Sequence, residues 1–407
     1  MILGVILRRI FIGSNRPIQP MAIPISYNVR NLRLRKGLTL MTALGIALTV
    51  ATAVFLMSLI SGLNRAFAST GDDHNVIVLR KGSDAELTGG FPLDALQTLR
   101  SLDGVARDAK GQPLASGELV TIIVLPRSDG TGEVNVTVRG TKAIGIALRP
   151  NIKLVEGRWF QPGQREVVVS KSIHARFGQS NVGDTMHFGK GSWIVVGVFD
   201  SGGSAYDSEI WGDVNQMAAD FDRTDGVSSA YLRAEDAGTA AALAKQVSDD
   251  QRLKLDGVIE TDYYAKQTRS GNTIKVVGIV VGIIMGIGSL FAAMNMMYAT
   301  VAYRSREIAT LRILGFSRPS ILVSFVLESM LVSFLGAVCG IVLMLPFNGL
   351  QTGTSNQVTF SEVVFSLRIT PAVAMGAIVI GVAIGFFGGL LPAWRAARLE
   401  ILAALRG

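Results

Sequence analysis

Few residues in this sequence have the type and spacing that chemistry requires. The single cysteine, Cys339, rules out an intrachain disulfide and a thiolate metal cluster. The three histidines, His74, His174 and His187, are too scattered to predict a metal site. No nucleophile lies at a recognisable spacing from a base, and no pair of carboxylates has the spacing of a general acid and base. We therefore predict no catalytic residue and no bound metal.

Glu328 is the only ionisable residue that lies well inside an apolar run. A carboxylate in hydrocarbon is costly, so such a residue is a candidate for a proton relay. A relay needs further ionisable partners, and the other apolar runs contain none. We therefore favour a structural hydrogen-bonding role for Glu328, with ion-coupled transport as the alternative.

The composition indicates a chain that spends much of its length in lipid. Charged residues make up 17% of the 407 residues, against roughly 25% in soluble domains, and the mean hydropathy is +0.40. Four runs are long enough to cross about 30 Å of hydrocarbon. They are residues 38–63, 276–302, 321–347 and 371–391. We predict an α-helical membrane protein with four transmembrane helices.

The lysines and arginines predict the orientation, because basic residues resist translocation. Residues 1–37, a predicted arm with a basic amphipathic helix, carry seven of them and no acid, and 303–319 and 392–407 are also basic. These three segments are predicted to be cytoplasmic, which leaves 64–273 and the short loop 348–370 outside. The net charge of +8 comes from these membrane-flanking segments, since 64–273 carries 23 basic and 27 acidic residues. Nucleic-acid binding is therefore not predicted.

Residues 64–273 are predicted to fold as a mixed α+β extracytoplasmic domain between the first and second helices. The segment has an ordinary domain length. Short β runs begin at Asn75, Glu133, Glu166 and Ser192, and helical patches occupy 92–102 and 237–247. The polar ends, 64–69 and 262–272, are predicted to be helical stalks. A rotation of the domain would reach the first two spans through them.

The segment 303–319 is predicted to form a short amphipathic helix, a turn and the start of the third span. Ile308, Leu311 and Ile313/Leu314 are expected on one side of that helix. Glu307 follows Arg304 by three residues, a spacing that lets the two side chains pair. Gly315 is expected to form a left-handed cap, and Ser317 is expected to cap the next helix. The segment is interpreted either as a membrane-surface helix or as a handle for a cytoplasmic partner.

Small residues recur at every fourth position of three spans. They are Gly278, Gly282 and Gly286, then Gly336 and Gly340, then Gly381, Gly385 and Gly389. Such stripes let helix backbones approach closely. We predict packing within one chain, with a seam between two copies as the alternative.

Several stretches resemble the MacB/FtsX-type (type VII) ABC transporter permeases. The resemblance lies in RNLRLRKGLTLMTALGIALTV at the first span, YRSREIATLRILGFSRPSI after the second and GGLLPAWRAARLEILAALR at the end. The outer stretch REVVVSKSIHARFGQSNVGDT, followed by SWIVVGVF, resembles the periplasmic core domain of that family. The order of these stretches along the chain makes the resemblance specific.

The resemblance implies a permease subunit in a bacterial inner membrane, working in efflux or in the handling of lipid-linked cargo. It implies that Arg304, Arg306, Glu307, Leu311 and Gly315 dock on an ABC ATPase subunit. It also implies a second permease copy or a sister permease, with a periplasmic adaptor and membrane lipids as further candidate partners. ATP binding would move the stalks and the domain, a process called mechanotransmission.

The sequence lacks the G-x-x-x-x-G-K-[ST] motif that holds nucleotide phosphates. The 37 residues before the first span leave no room for an ATPase domain. We therefore expect no cofactor in this chain, with ATP and Mg²⁺ bound by a partner subunit. A membrane-anchored sensor or scaffold, whose cytoplasmic helix binds a signalling protein, is the second alternative.

Overall fold

The computed structural model describes residues 36–128, 130, 132–267, 272–356 and 359–399. Four helices in these residues are long and apolar enough to cross a membrane, and each overlaps one predicted run. A large domain of helices and strands lies between the first and second of them in the chain. The predicted class, a membrane protein with four transmembrane helices and a mixed α+β domain, is confirmed. The arm and amphipathic helix expected before residue 36, and the tail beyond residue 399, lie outside the described residues.

The helices and strands are numbered here in chain order. The helices are α1 (Lys36–Ala68), α2 (Leu93–Arg100), α3 (Ala143–Ala147), α4 (Lys171–Arg176), α5 (Val214–Asp220), α6 (Ala237–Asp249), α7 (Glu260–Gln267), α8 (Asn272–Tyr303), α9 (Ser305–Ile313), α10 (Arg318–Met344) and α11 (Pro371–Ala397). The strands are β1 (Asn75–Arg80), β2 (Phe91–Pro92), β3 (Ala115–Pro126), β4 (Glu133–Thr141), β5 (Lys153–Gly157), β6 (Glu166–Ser170), β7 (Thr185–Phe188), β8 (Gly191–Asp200), β9 (Glu209–Asp213), β10 (Gly226–Val227), β11 (Ser229–Arg233), β12 (Leu255–Ile259), β13 (Gln351–Ser355) and β14 (Glu362–Ser366).

The chain divides into two compact units. The membrane unit comprises the described residues up to Val54, together with 280–345 and those from Pro371 onward. The inserted unit comprises 55–279 and 346–370. It therefore includes one end of α1, the beginning of α8 and the hairpin β13–β14.

Glycines allow α1, α10 and α11 to pack closely in the membrane unit. A Cβ added at Gly340 would lie 2.6 Å from the carbonyl oxygen of Ala47 in α1, and one at Gly381 would lie 2.7 Å from a side-chain carbon of α10. Ser329 of α10 donates its hydroxyl to the carbonyl oxygen of Gly385 over 2.8 Å. Backbones that approach this closely gain dispersion contacts, which hold helices together where lipid replaces water.

The glycines of α8 have different surroundings. An added Cβ at Gly278 would meet the side chains of Leu56 and Ile60 at 3.9 Å. At Gly282 and Gly286, an added Cβ would meet no atom of the described residues within 4 Å. The packing within one chain that was predicted for these two glycines is therefore not found in the described part of the molecule.

One mixed sheet organises the inserted unit. Among the described residues it has ten strands, in the order β12-β1-β11-β3-β4-β9-β6-β8-β5, with β7 paired to β8. Both faces are covered, as β1 illustrates: Val76 and Val78 pack under α2 and α6, while Ile77 points into an aromatic core on the other face. That second core includes Trp211 and Phe365. A sheet covered on both sides explains why the strand NVIVL is almost continuously apolar.

Glu260 joins the two ends of the chain segment that is inserted between α1 and α8. Its carboxylate accepts hydrogen bonds from the backbone N–H of Asp72 at 3.0 Å and from the side-chain amide of Asn75 at 2.8 Å, both where the chain enters the domain. Glu260 itself is the first residue of α7, where the chain leaves the domain. Gly71, which takes the left-handed φ of +102° there, would place a Cβ only 3.1 Å from the Glu260 backbone. The first expected stalk is a direct continuation of α1 to Ala68.

Candidate functional site

The segment between α8 and α10 consists of a joint, a short helix and a sharp turn. One residue, Arg304, separates α8 from α9 and departs from helical geometry with φ −104° and ψ 13°. After α9, Gly315 takes a left-handed φ of +95°, and the N–H of Phe316 donates to the carbonyl oxygen of Leu311 over 3.1 Å. Ser317 then caps α10 by accepting an N–H from its first turn over 3.3 Å. Both caps predicted from the sequence are present.

The apolar residues of this segment divide between two faces. Ile308 and Ala309 are buried in the membrane unit, and Ile308 belongs to an apolar cluster that includes Phe325. Ile313 and Leu314 point away from it, and Leu314 is 65% exposed. The prediction that Ile308 and Ile313 share a side was wrong, since five residues at 3.6 per turn separate them by about 140°. The segment therefore has one apolar face that is buried in the membrane unit and a separate apolar face that is exposed.

The residues predicted to dock on a partner do not share one environment. Arg306, Glu307 and Gly315 are exposed, and Leu311 is half-buried. Arg304 is only 3% exposed, so its side chain has no docking surface to offer. The exposed pair Ile313 and Leu314 was noticed in the sequence only as part of one apolar side. Their position just before a left-handed glycine was the signal that sets them apart.

Arg304 is instead held inside the membrane unit. Its Nε donates to Glu307 over 2.8 Å, the pairing that the spacing predicted. Its Nη1 donates to the carboxylate of Glu328 over 2.7 Å, and its guanidinium lies 4.8 Å from the ring centre of Phe325. Sequence reasoning sought a partner for Glu328 inside the other spans, but the partner lies at the end of α8. The Arg304 contact gives Glu328 a buried ion-pair partner, and the structural role of Glu328 stays a prediction.

A second set of buried charges lies in the inserted unit and was not found from the sequence. The guanidinium of Arg139 in β4 donates to Glu86, Glu118 and Glu209 over 2.7–2.9 Å. Arg149 donates to Glu118 as well, at 2.7 and 2.8 Å. Burial alone would raise the pKa of Glu118, but Arg149 and Arg139 together lower it from 4.5 to about 2. These contacts join β3, β4 and β9 to the turn that carries Glu86.

The loop between α10 and α11 also takes part in the inserted unit. It forms the hairpin β13–β14, whose Glu362 accepts from Arg127 at 2.7 Å and from Arg176 at 2.6 Å. The N–H of Val364 donates to the hydroxyl of Ser208 over 2.7 Å. Phe365 is buried in the aromatic core. The loop expected in the sequence is therefore an ordered part of this unit, attached by charge pairs and by an aromatic side chain.

No group of three or more His, Cys, Asp or Glu side chains is placed to hold a metal ion in the part of the chain that the structure describes. The arrangement offers two chemical capabilities instead. One is an exposed apolar surface beside a rigid turn, and the other is a set of buried ion pairs that connect distant elements.

Two family profiles together match most of the chain. The MacB-like periplasmic core domain matches residues 39–250, and the FtsX-like permease C-terminal domain matches residues 279–401. The first match alone covers more than half of the sequence.

Two relatives illustrate the similarity. The macrolide export ATP-binding/permease protein MacB of Pasteurella multocida is 27% identical over 399 residues, which cover 90% of this chain and 57% of MacB. The uncharacterized ABC transporter permease YknZ of Bacillus subtilis is 26% identical over 395 residues, which cover 90% of this chain and 94% of YknZ. The chain thus spans little more than half the length of the MacB relative.

Two solved structures were also found to be similar to the chain. The extracellular domain of YknZ aligns with a TM-score of 0.34 and 18% identity, over 45% of this chain and 99% of that structure. The periplasmic region of MacB from Actinobacillus actinomycetemcomitans aligns with a TM-score of 0.36 and 12% identity, over 49% of this chain and 94% of that structure.

Proposed function

Since this chain belongs to the MacB/FtsX family of ABC transporter permeases, we propose that it couples ATP hydrolysis to movement of its extracytoplasmic domain. Hydrolysis takes place in a separate ATPase subunit, which binds ATP and Mg²⁺. The movement serves efflux or the handling of lipid-linked cargo. The absence of a phosphate-binding motif from this sequence supports placing the nucleotide in another subunit.

The observation that carries this proposal is the exposed face of residues 304–317, the segment between α8 and α10, which we call the coupling segment. Ile313 and Leu314 present apolar surface beside the left-handed turn at Gly315, with the charged Arg306 and Glu307 on the same segment. An apolar centre with a charged rim is the usual composition of a protein interface. The opposite face of α9 is seated in the membrane unit. A partner that moves this surface therefore also moves the helices beneath it.

The assembly that we propose follows the charge pattern and the exposed helix faces. The protein lies in the bacterial cytoplasmic membrane with both termini in the cytoplasm, because the basic segments flank the spans on that side. A second copy or a sister permease packs along α8, where Gly282 and Gly286 lie open beside the exposed Ile283 and Ile287. A periplasmic adaptor and membrane lipids complete the partners.

Replacing Leu314 by aspartate is expected to separate the chain from its ATPase. A charge at the centre of an apolar contact leaves a buried carboxylate unpaired, and such a position contributes about 2 kcal/mol or more to binding. We therefore expect the recovery of the ATPase to fall by at least about tenfold. The measurement is purification of the tagged chain from its native host, followed by quantification of the co-purifying nucleotide-binding subunit and of its ATP hydrolysis.

Gln97→Asp is the charge control, because Gln97 is an exposed residue of α2 in the inserted unit, away from the assigned surface, and receives the same charge. It should leave ATPase recovery close to that of the native sequence. Equal loss in both variants would point to a general effect of charge and against the assigned surface. A native chain that purifies with a signalling protein and no ATPase would replace the transporter proposal by the sensor alternative.

Valine at Gly315 is expected to abolish stimulation of the ATPase without preventing membrane insertion. A Cβ at this glycine meets no atom of the described residues within 4 Å, so the backbone is the only source of strain. A β-branched residue is strongly disfavoured at a φ of +95°, whereas asparagine tolerates left-handed geometry. Gly315→Asn should therefore retain stimulated ATP hydrolysis, measured in detergent or in lipid nanodiscs. Normal stimulation in Gly315→Val would contradict the role of this turn.

A further inference from the structure

We infer that Arg304 and Glu328 form a brace that makes α9 and α10 move as one body. This inference rests on the proposed function, because it concerns how force from the ATPase reaches the membrane helices. It assigns to Arg304 a positioning role inside the chain. The consequence is that movement of the coupling segment is delivered to the third membrane helix as well as to the second.

The joint between α8 and α9 is the place where a brace is needed. Arg304 is the only residue between the two helices, and its φ and ψ lie outside the helical range. The backbone hydrogen bonds continue on both sides, since the N–H of Arg304 donates to the carbonyl oxygen of Thr300 at 3.1 Å and the N–H of Ile308 donates to that of Arg304 at 2.9 Å. The backbone departs from helical geometry at this one residue, so a side-chain contact made by Arg304 acts directly at the joint.

The side chain of the joint residue is held from two helices. Its Nε donates to Glu307 in α9, and its Nη1 donates to Glu328 in α10. Glu328 lies ten residues into α10, about 15 Å along its axis at 1.5 Å per residue. Phe325, one turn earlier, packs under the guanidinium at 4.8 Å. A tilt of α9 relative to α10 must therefore disturb a directional contact deep inside the membrane unit.

Apolar packing alone would constrain the joint less. Ile308 packs against Ile321 and Phe325 in the cluster beneath α9, and such contacts tolerate small sliding movements because they have no preferred direction. A bond from a guanidinium to a carboxylate has a preferred geometry, and breaking it leaves a buried charge without its partner. Arg304 is 3% exposed, so water has little access to its guanidinium while the pair is formed. The ion pair therefore favours one orientation of α9 over slightly tilted ones.

The variant that tests the brace replaces both partners, Arg304→Met with Glu328→Met. Exchanging a buried ion pair for apolar side chains of similar volume is often neutral for stability, which separates folding from transmission. Spin labels at Thr310 in α9 and Leu343 in α10, in a Cys339→Ser background, report the distance between the two helices in the full-length chain purified without its ATPase, because Thr310 lies on the face assigned to that partner. In a separate sample of the full complex, a single label at Leu93 in the inserted unit reports the ATP-driven response as the change in the spectrum of that label when ATP is added.

We expect the double variant to keep its ATPase partner while the Thr310–Leu343 distance distribution broadens. The ATP-driven change in the spectrum of the Leu93 label should become at least about fivefold smaller. Fivefold is the lower end of ordinary coupling between two sites. Arg398→Met is the control, because Arg398 is an exposed arginine that lies 4.1 Å from the ring of Trp394 in the same unit. It should leave both readings unchanged. If the double variant fails to insert, Glu328→Gln, which keeps the size of the side chain, should show the same broadening to a smaller degree.

Unchanged distance distributions in both the double variant and Glu328→Gln would overturn the brace. A native chain that shows no ATP-driven change at Leu93 would instead count against the proposed function. The distance between Thr310 and Leu343 still tests the brace in that case, since it is measured without nucleotide. A broadened distribution with a normal ATP-driven response would also overturn the inference, because transmission would then not depend on the pair.

Discussion

Methionine in place of Arg139 is expected to bring the inserted unit to the margin of stability. The guanidinium is 1% exposed and holds three carboxylates, those of Glu86, Glu118 and Glu209. Only Glu118 would keep an arginine, Arg149, among the contacts that this cluster shows. Removing one partner of a buried ion pair costs about 3–5 kcal/mol. A domain is stable by roughly 5–15 kcal/mol, so a large part of the free energy of unfolding would be lost.

Tryptophan fluorescence during chemical denaturation of the detergent-solubilised chain measures this loss. Three of the four tryptophans lie in the inserted unit, and Trp193 and Trp211 are fully buried there. Arg158→Met is the matched control, because Arg158 pairs with Glu166 at the surface. Such a pair contributes about 1 kcal/mol or less. If both variants shift the transition by similar amounts, burial is not what makes the Arg139 contacts important.

Truncation of Phe365 to alanine is expected to destabilise the inserted unit by about 3–5 kcal/mol, the usual effect of deleting a buried phenylalanine ring. The ring is 3% exposed and belongs to the aromatic core. Losing it also weakens the attachment of the hairpin β13–β14, so we expect faster proteolysis between the two strands. The measurements are the same fluorescence transition and a time course of limited proteolysis.

Phe360→Ala is the matched control on the same hairpin. Phe360 is 66% exposed, and its contact with β4 is made by its backbone, whose carbonyl oxygen accepts from the Asn135 side chain at 2.9 Å. Truncation there should change the free energy of unfolding by no more than about 0.5 kcal/mol. A large effect at Phe360, or none at Phe365, would mean that the hairpin is held by its charge pairs rather than by the aromatic core.

The membrane helices and the caps of the coupling segment follow from local sequence. A run of some twenty apolar residues has few alternatives to a spanning helix, because lipid satisfies no backbone group. The caps at Gly315 and Ser317 can be predicted from the residue types at those two positions. The pairing of Arg304 with Glu307 follows from helical spacing. These features depend on neighbours within one or two turns.

The features that sequence reasoning missed depend on distant residues. Arg139 alternates with Val136 and Val138 along β4, so a strand with one solvated face would have placed its side chain in water. The face of β4 that carries Arg139 is covered by aromatic residues such as Tyr231. These residues are distant from Arg139 in the sequence, so no local pattern predicts them. The partner of Glu328 lies 24 residues away, outside every predicted span. The hairpin was missed because β13 has no apolar run.

The hydrogen bonds of Glu260, which hold the two ends of the inserted segment together, have an evolutionary consequence. The chain leaves the inserted segment beside the point where it enters it, as is usual for insertions that other folds tolerate. The entropy of closing a loop rises only slowly with its length, by about 0.6 kcal/mol for each doubling. Residues added at the far edge of the sheet, near β5, would therefore leave the ends of α1 and α7 where they are. Evolution can therefore enlarge or reshape this domain while the membrane helices stay unaltered.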